Sequence, residues 1–251
     1  MTDEELAQEI QELLTHSFNP ETGKPLGLRS IAQLLDISYG KARWLEQKYR
    51  PQPDKYHPES LTDSYESFGP VTAYVWDLET TNLNTFMGQL IVASFLDLAT
   101  GHINTRTVND FDGTNAEREV ALLHWTIERL AEADILIGHN TLGFDLGFLR
   151  GRLAIHGLGG TVLPKRYHID TYQLARHGFK GKPQGYSLEN LADFFRLPVG
   201  KDKPSKHDWA GSIILDEGAI ERIAERCEAD TVVNAHLWSK LRPYWYEWKG
   251  R

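Results

Sequence analysis

Hydrophobic residues in the first fifty positions recur at helical spacing, which predicts three short helices. The first begins after Thr2, which forms a capping-box pattern with Glu5 three positions later. The second is predicted over residues 28–35 and the third over 39–49, with a turn between them. Residues 51–70 carry four prolines and no apolar periodicity, so they are predicted to be a linker.

From residue 71 onwards the pattern changes to short apolar runs that alternate with amphipathic segments. Strands are predicted over residues 74–79, 90–95, 102–108, 135–138 and 167–170. Helices are predicted over residues 115–131, 146–156, 171–177, 187–195 and 217–241. This order predicts an α/β domain that extends from residue 71 to residue 251.

Composition and charge narrow the functional classes. The 251-residue chain has a formal net charge of −8, so nucleic-acid binding would depend on local patches or on metal ions. Cys227 is the single cysteine, which excludes a disulfide framework and a Cys-rich zinc site. No apolar run has the length of a membrane span, and the acidic N-terminus is unlike a signal peptide. We therefore expect a soluble cytoplasmic protein with no membrane partner.

The second and third predicted helices resemble a helix-turn-helix, which places a small all-α domain at residues 1–50. Residues 29–50 carry five basic and two acidic side chains, a local charge of +3. In such a motif the second helix enters the major groove of DNA. The residues near its leading end, which we predict to contact DNA, are Tyr39, Lys41, Arg43 and Trp44. The alternative is a small helical bundle used for protein contact.

Two carboxylates mark the end of the first predicted strand. Asp77 and Glu79 are two residues apart, so both side chains point to the same face of that strand. Like charges held side by side repel each other unless a cation lies between them, and hard divalent cations prefer oxygen ligands. Asp145 opens a helix after the fourth strand, and Asp230 lies in the last helix. Four such carboxylates can surround two divalent ions, which together assist phosphodiester hydrolysis. A solvated Asp/Glu pair in a loop is the alternative interpretation of the first two.

Three segments resemble the motifs of a known family. Asp77-Leu78-Glu79-Thr80 resembles the first motif of the DEDD (DnaQ-like, proofreading-type) 3′–5′ exonucleases. Residues 139–145 resemble the second motif and residues 227–230 the end of the third, so the resemblance covers about residues 71–241. It implies a ribonuclease H-like mixed sheet flanked by helices and a 3′–5′ exonuclease acting mainly on single-stranded DNA. It also implies two Mg²⁺ or Mn²⁺ ions, held by Asp77, Glu79, Asp145 and Asp230.

The same resemblance implies roles around the carboxylates. Thr80 and Leu83 would line the site of the terminal nucleotide, and Asn140 and Phe144 would hold the substrate strand. The third motif departs from the family, because Arg226 stands where subfamilies have a Tyr that orients the attacking water. Arginine cannot act as a base, but one turn before Asp230 it can contact the substrate phosphate. We therefore predict a slow nuclease.

Two alternatives remain open for the function. One is a DNA-binding regulator whose exonuclease fold has lost turnover, and the other is a 3′–5′ exoribonuclease. The complete set of four carboxylates favours the enzyme, and DNA is favoured over RNA as its substrate. The protein would act alone or beside a replication or repair partner, in phage or mobile-element DNA metabolism as one hypothesis. Asp170 is predicted to be a helix cap, while the lysines at 201, 203 and 206 would contact phosphates or lie in a solvated loop.

Overall fold

The computed structural model describes residues 2–16, 28–49, 71–161, 163–179, 185–197 and 204–249. The predicted linker over 51–70 and the lysines at positions 201 and 203 lie outside the described residues. Among the helices of the described part, none combines the length and the apolar character needed to cross a membrane.

The N-terminal unit consists of three helices, α1 (Asp3–His16), α2 (Leu28–Leu34) and α3 (Tyr39–Tyr49). Thr2 and Glu5 exchange the two hydrogen bonds of a capping box at the start of α1, with lengths of 2.7 and 3.2 Å. The hydroxyl of Ser38 caps α3 by accepting from the Lys41 amide at 3.1 Å. Buried side chains from all three helices form the core of the unit: Leu6, Ala7, Ile10, Ile31, Ala32, Ala42 and Leu45.

The rest of the described chain folds around a five-stranded sheet. Its strands are β1 (Ala73–Thr80), β2 (Leu90–Asp97), β3 (Ile103–Thr107), β4 (Ile135–Gly138) and β5 (Tyr167–Asp170). The order across the sheet is β3-β2-β1-β4-β5. The first three strands pair antiparallel, whereas β1 with β4 and β4 with β5 pair parallel. The predicted mixed sheet of the α/β class is therefore confirmed.

Six α-helices and one 3₁₀ helix accompany this sheet in the described part. The 3₁₀ helix is Val108–Asp110, and the α-helices are α4 (Asn115–Glu132), α5 (Asp145–Ile155), α6 (Thr171–Gly178), α7 (Leu188–Phe195), α8 (Lys206–Ile213) and α9 (Glu217–Lys249). Alternate residues of β1 enter two different hydrophobic clusters. Trp76 and Leu78 pack in one cluster, and Ala73 and Val75 pack in the other. The two faces of the sheet are therefore both covered.

Helix α9 contributes to both clusters. Its first half supplies Ile220, Ile223, Ala224 and Cys227 to the cluster around Trp76, and its second half supplies Val232, Ala235, Leu237, Trp238 and Leu241 to the cluster around Val75. Residues 228–231 lie between these two stretches, so the sequence position of Asp230 is where α9 passes from one cluster to the other. The helix also continues past its predicted end at 241, because Trp245 packs against Trp238 and Tyr167, with ring centroids 5.9 and 6.0 Å apart.

Candidate metal centre and active site

Asp77 and Glu79 project from the carboxyl-terminal half of β1. They continue the row of Ala73 and Val75, and both are half-buried, whereas Leu78 between them is buried on the opposite face. The pairing register with β2 shifts between Glu79 and Thr80, which is the irregularity of a β-bulge. Bulges bend a strand and re-aim its side chains, and they are common beside active sites.

Helix α9 brings a third carboxylate to this pair. Oxygen atoms of Asp77, Glu79 and Asp230 lie within 4.8 Å of one another, and Asp230 is buried. The Cys227 thiol donates to the Asp77 carbonyl at 3.5 Å and approaches Asp77 Oδ2 at 3.6 Å, so α9 is packed directly on β1. An oxygen-only set of three carboxylates has the donor chemistry that Mg²⁺ and Mn²⁺ prefer. The residues present therefore fit a divalent cation.

Asp145 adds a fourth negative charge to the same neighbourhood. It is the first residue of α5 and is only 4% exposed. Burial raises the pKa of Asp145 well above its usual range, and the charges of Asp77 and Glu79 raise that pKa further. A carboxylate in this field is costly to ionise unless a cation compensates it. The fold therefore brings Asp145 close enough to Asp77 and Glu79 for their charges to affect its ionisation. Asp145 is not among the three residues whose carboxylate oxygens lie within 4.8 Å of one another.

The loop that precedes Asp145 is held by Asp170. The Asp170 carboxylate accepts hydrogen bonds from the amides of Asn140 and Leu142, at 3.0 and 3.1 Å, and from Gln173 at the start of α6, at 3.1 Å. Asn140 adopts φ = 64°, a left-handed conformation that Asn tolerates better than most residues. Asp170 therefore caps α6 and shapes the loop of the second motif, in line with the structural role expected from its position.

A second set of contacts connects this loop to α9. Thr171 Oγ1 lies 2.9 Å from His139 Nδ1 and donates to Asn234 Oδ1 at 2.7 Å. The other ring nitrogen of His139 lies 3.0 Å from the Tyr186 carbonyl. His139 is thus a half-buried histidine with partners at both ring nitrogens, and it helps to position the loop and the helix that carry Asp145 and Asp230.

Arg226 enters the carboxylate cluster. Its Nε atom lies 3.4 Å from Glu79 Oε1, and its Nη2 atom lies 3.3 Å from Asp230 Oδ2. The regular helix therefore carries the guanidinium to the face predicted from the spacing to Asp230. Arginine stays protonated in proteins, so a fixed positive charge lies among the candidate metal ligands.

A pocket of about 530 Å³ opens beside the cluster. Its lining includes four of the residues expected to bind substrate: Thr80, Leu83, Phe144 and Arg226. Glu79 also lines it, which joins the pocket to the carboxylates. Trp209 of α8 lines the pocket as well, a position that no sequence motif indicated. Asn140 is absent from this lining and lies in the loop held by Asp170.

The residues expected to read DNA lie away from this pocket, on α3. Arg43 is 7% exposed and pairs with Asp110, at 3.5 Å between Nε and Oδ1. The expectation that Arg43 contacts a DNA groove is therefore wrong for this arrangement, because its charge is buried against the 3₁₀ helix. Arg106 of β3 donates to the Gly40 carbonyl at 3.3 Å, which places the leading end of α3 on the sheet domain.

The other three α3 residues have different environments. Tyr39 hydrogen-bonds Arg43, and burial raises the pKa of Tyr39 above its usual value. Trp44 packs against the core of the three-helix unit and is half-buried. Lys41 is exposed and lies 3.6 Å from Asp3 of α1. Of the four, Lys41 is the side chain that presents its charge to solvent.

Comparison with known proteins agrees with this architecture. A family model described as the RNase_H superfamily matches residues 74–211, a range that contains Asp77, Glu79 and Asp145 and ends before Asp230. Among solved structures, the chain is similar to the family B DNA polymerase from the hyperthermophilic archaeon Pyrobaculum calidifontis, with 18% identity and a TM-score of 0.53. That alignment covers 69% of this chain and 25% of the polymerase chain. A search of curated proteins gave no significant match. The predicted ribonuclease H-like fold is confirmed, and the chain belongs to the RNase_H superfamily.

Proposed function

We propose that the protein is a metal-dependent 3′–5′ exonuclease that acts mainly on single-stranded DNA. The observation that carries the proposal is the convergence of Asp77, Glu79 and Asp230 within 4.8 Å, with Asp145 near enough for the charges of Asp77 and Glu79 to raise its pKa. The likeness to a DNA polymerase concerns the fold, and it supports nucleic acid as the ligand. The 3′–5′ direction follows from the resemblance of the three carboxylate motifs to the DEDD exonucleases.

The residues divide into two groups by role. The four carboxylates would hold two Mg²⁺ or Mn²⁺ ions, which when bound lower the pKa of water and neutralise charge on a phosphate. Leu83 and Phe144 form apolar walls of the adjoining pocket, where a terminal nucleoside can lie. Arg226 lines the same pocket and can donate to phosphate oxygens.

The position of Arg226 supports a second candidate, a nucleic-acid-binding protein with little or no turnover. Its guanidinium already compensates Glu79 and Asp230, at 3.4 and 3.3 Å. In that case the fold would bind strands without hydrolysing them. An assay of strand shortening separates the two candidates, because only the nuclease shortens its substrate.

The test uses 5′-labelled single-stranded DNA and RNA, incubated with Mg²⁺, Mn²⁺ or EDTA. The proposal predicts a ladder of products that shorten stepwise from the 3′ end, on DNA in preference to RNA, and no products in EDTA. Faster cleavage of RNA would make the protein an exoribonuclease. Intact strands in both metals would favour the binding protein.

The carboxylates are tested by charge removal that preserves shape. Asp77→Asn should abolish hydrolysis, and it should also reduce the rise in melting temperature that Mn²⁺ produces in the parent by binding the folded state. Asp193→Asn is the matched control, since Asp193 is an exposed carboxylate on α7. Equal activity in the Asp77→Asn protein and the parent would remove Asp77 from the mechanism.

A further inference from the structure

The loop between β1 and β2 exposes large apolar side chains. Leu83, Phe86 and Met87 have 80%, 84% and 75% of their surface accessible to solvent, respectively. Large apolar side chains exposed together in one short loop mark a site of interaction more often than an isolated exposed residue does. Leu83 already lines the pocket, whereas Phe86 and Met87 have no role in the proposed function.

Hydrogen bonds hold this loop in one conformation. Asn82 Oδ1 accepts from the Asn84 amide at 2.8 Å, and Asn84 Oδ1 accepts from the Phe86 amide at 2.9 Å. The Asn84 carbonyl accepts from the amides of Met87 and Gly88 at 3.0 and 2.7 Å. At Gly88 a Cβ would lie 2.4 Å from the Asn82 carbonyl oxygen, so the tight turn requires glycine. The exposure of the two side chains is therefore a property of a well-defined loop.

The loop is also fastened to a buried ionic group. Arg152 Nη1 donates to the Thr85 carbonyl at 3.0 Å, while its Nε and Nη2 atoms bind Glu119 at 2.7 and 2.6 Å. Glu119 is 1% exposed and accepts from the Leu90 amide at 2.8 Å, where β2 begins. The Arg152–Glu119 ion pair therefore holds the loop at Thr85 and also at Leu90, where the loop ends. The backbone at Phe86 and Met87 is thus held in place before any ligand arrives, which lowers the entropic cost of binding.

The loop is continuous with the candidate active site. It follows Glu79 and Thr80 directly, and its Leu83 forms part of the pocket wall. A strand whose terminal nucleotide occupies that pocket must extend outwards past neighbouring surface. With a formal net charge of −8, the protein has no global basic field to hold the strand. Base stacking on a ring needs no charge and tolerates every base, because each base has a π-face.

We propose that Phe86 and Met87 form a stacking platform for the unpaired bases that precede the terminal nucleotide of the bound strand. The proposal rests on the proposed function for the location of the strand's end, but it concerns binding and not hydrolysis. The occupant is a single-stranded nucleic acid, whose bases lie on the Phe86 ring and against the Met87 thioether.

The test measures the affinity of the intact chain for a fluorescein-labelled single-stranded oligonucleotide by anisotropy, in an Asp145→Asn background that does not cut it. Phe86→Ala should raise Kd about 10-fold, within the range found for one base on one aromatic ring. Phe86→Trp should preserve affinity, and Phe86→Leu should lose nearly as much as alanine, because stacking needs a flat ring. The slope of log Kd against log salt should not change, since no phosphate contact is removed. Phe194→Ala, at an aromatic residue 57% exposed on α7, is the control and should have no effect.

The substrate supplies the second half of the test. A strand with abasic sites just upstream of its terminal nucleotide cannot stack, so the difference between the parent and Phe86→Ala should disappear on it. Equal losses on normal and abasic strands would overturn the platform, as would unchanged affinity of Phe86→Ala. A parent that sediments as a dimer and a Phe86→Ala chain that sediments as a monomer with unchanged affinity would instead make this loop a subunit contact.

If no strand is hydrolysed but the Phe86 effect is present, the platform stands and the proposed enzyme fails. If strands are shortened from the 3′ end and all Phe86 variants bind alike, the enzyme stands and the platform fails. The two conclusions are therefore tested separately.

Discussion

Arg226 is the residue that most distinguishes this site from the family motif it resembles. Its guanidinium lies 3.4 Å from Glu79 and 3.3 Å from Asp230. Two unit charges about 4 Å apart interact by about 4 kcal/mol at an effective dielectric constant of about 20. A fixed positive charge at this distance reduces the repulsion among the carboxylates, and it also opposes an incoming cation.

We expect Arg226→Ala to bind Mn²⁺ about 10-fold more tightly than the parent, a change of about 1.4 kcal/mol that is well below the Coulomb limit. Isothermal titration calorimetry measures it. Arg222→Ala is the matched control one turn earlier on α9, because Arg222 pairs with Asp208 at 2.6 Å. Equal Mn²⁺ affinity in all three proteins would place Arg226 outside the metal site in solution.

The same residue is expected to limit the rate. A positioned proton acceptor contributes about 10²–10⁴-fold to a hydrolytic step, and arginine cannot supply one. Arg226→Tyr should therefore cleave single strands faster than the parent in single-turnover assays. Agreement of the rates of the parent, Arg226→Tyr and Arg226→Ala would exclude any influence of this position on the chemical step.

Asp145 provides a prediction about pH. Its pKa is raised by burial and by Asp77, so folding without metal favours the protonated carboxyl. This contribution to the free energy of unfolding is complete below the usual aspartate pKa, and it is lost as the pH rises through the raised value. Asp145→Asn cannot ionise, so its melting temperature in EDTA should fall less than the parent's from about pH 4 to about pH 8. Parallel curves would show that Asp145 is not the group responsible.

At the scale of elements, α3 is joined to the 3₁₀ helix by a buried ion pair. Side chains of Arg43 and Asp110 are 9% and 0% exposed, and a Cβ on Gly40 would lie 2.1 Å from the Asp110 carbonyl oxygen. Asp110 also accepts from the Thr107 amide at 2.7 Å, so it has a second role as a cap. The backbones of Gly40 and Asp110 therefore approach so closely that a side chain at position 40 has no room.

Breaking this pair should be costly. Arg43→Met leaves the Asp110 carboxylate buried without its cation, and we expect a loss of about 3–5 kcal/mol in the free energy of unfolding. Urea denaturation of the intact chain measures the loss. The double variant Arg43→Met/Asp110→Asn removes both charges while Asn keeps an acceptor for Thr107, so it should recover part of the stability. If the double variant loses as much stability as the Arg43→Met and Asp110→Asn single variants added together, the ion pair is not the source of the lost stability.

At the scale of the whole molecule, the contact between α3 and the sheet domain restricts DNA binding by the N-terminal unit. At the leading end of α3, Arg43 and Gly40 contact Asp110 and Arg106 of the sheet domain, whereas Lys41 is exposed. A duplex can contact Arg43 only if the unit parts from the sheet domain. DNA contact through Arg43, as the helix-turn-helix hypothesis expects, therefore requires a second arrangement of the two units.

This requirement can be measured in the intact chain. Gly40→Ala should weaken the contact, because its Cβ meets the Asp110 backbone, and it should raise the affinity for a labelled duplex if α3 reads DNA. Lys41→Ala in that background should then lower both the affinity and its salt dependence. If neither Gly40→Ala nor Lys41→Ala changes duplex binding, the three-helix unit serves as a protein-contact or packing module.

Much of this architecture could be predicted from local sequence. Asp77 and Glu79 share one face of a strand because they are two positions apart. Thr2 and Ser38 cap helices through residues three positions later. Period-2 and period-3.6 patterns repeat over such short distances, so the strands and most helices followed from them, whereas α8 and the 3₁₀ helix were not predicted. The resemblance of two further motifs to a known family likewise indicated Asp145 and Asp230.

Only the tertiary structure decided which distant groups meet. Arg43 was expected on a DNA-reading face, yet it is buried against Asp110, 67 positions away along the chain and in another unit. Glu119 and Arg152 are 33 residues apart, and nothing in either segment indicates that they pair. The solvent exposure of Phe86 is equally non-local, because an aromatic residue in a loop can pack inwards or outwards. Local periodicity determines which face of an element is apolar, whereas long-range packing selects the partner of each polar or exposed side chain.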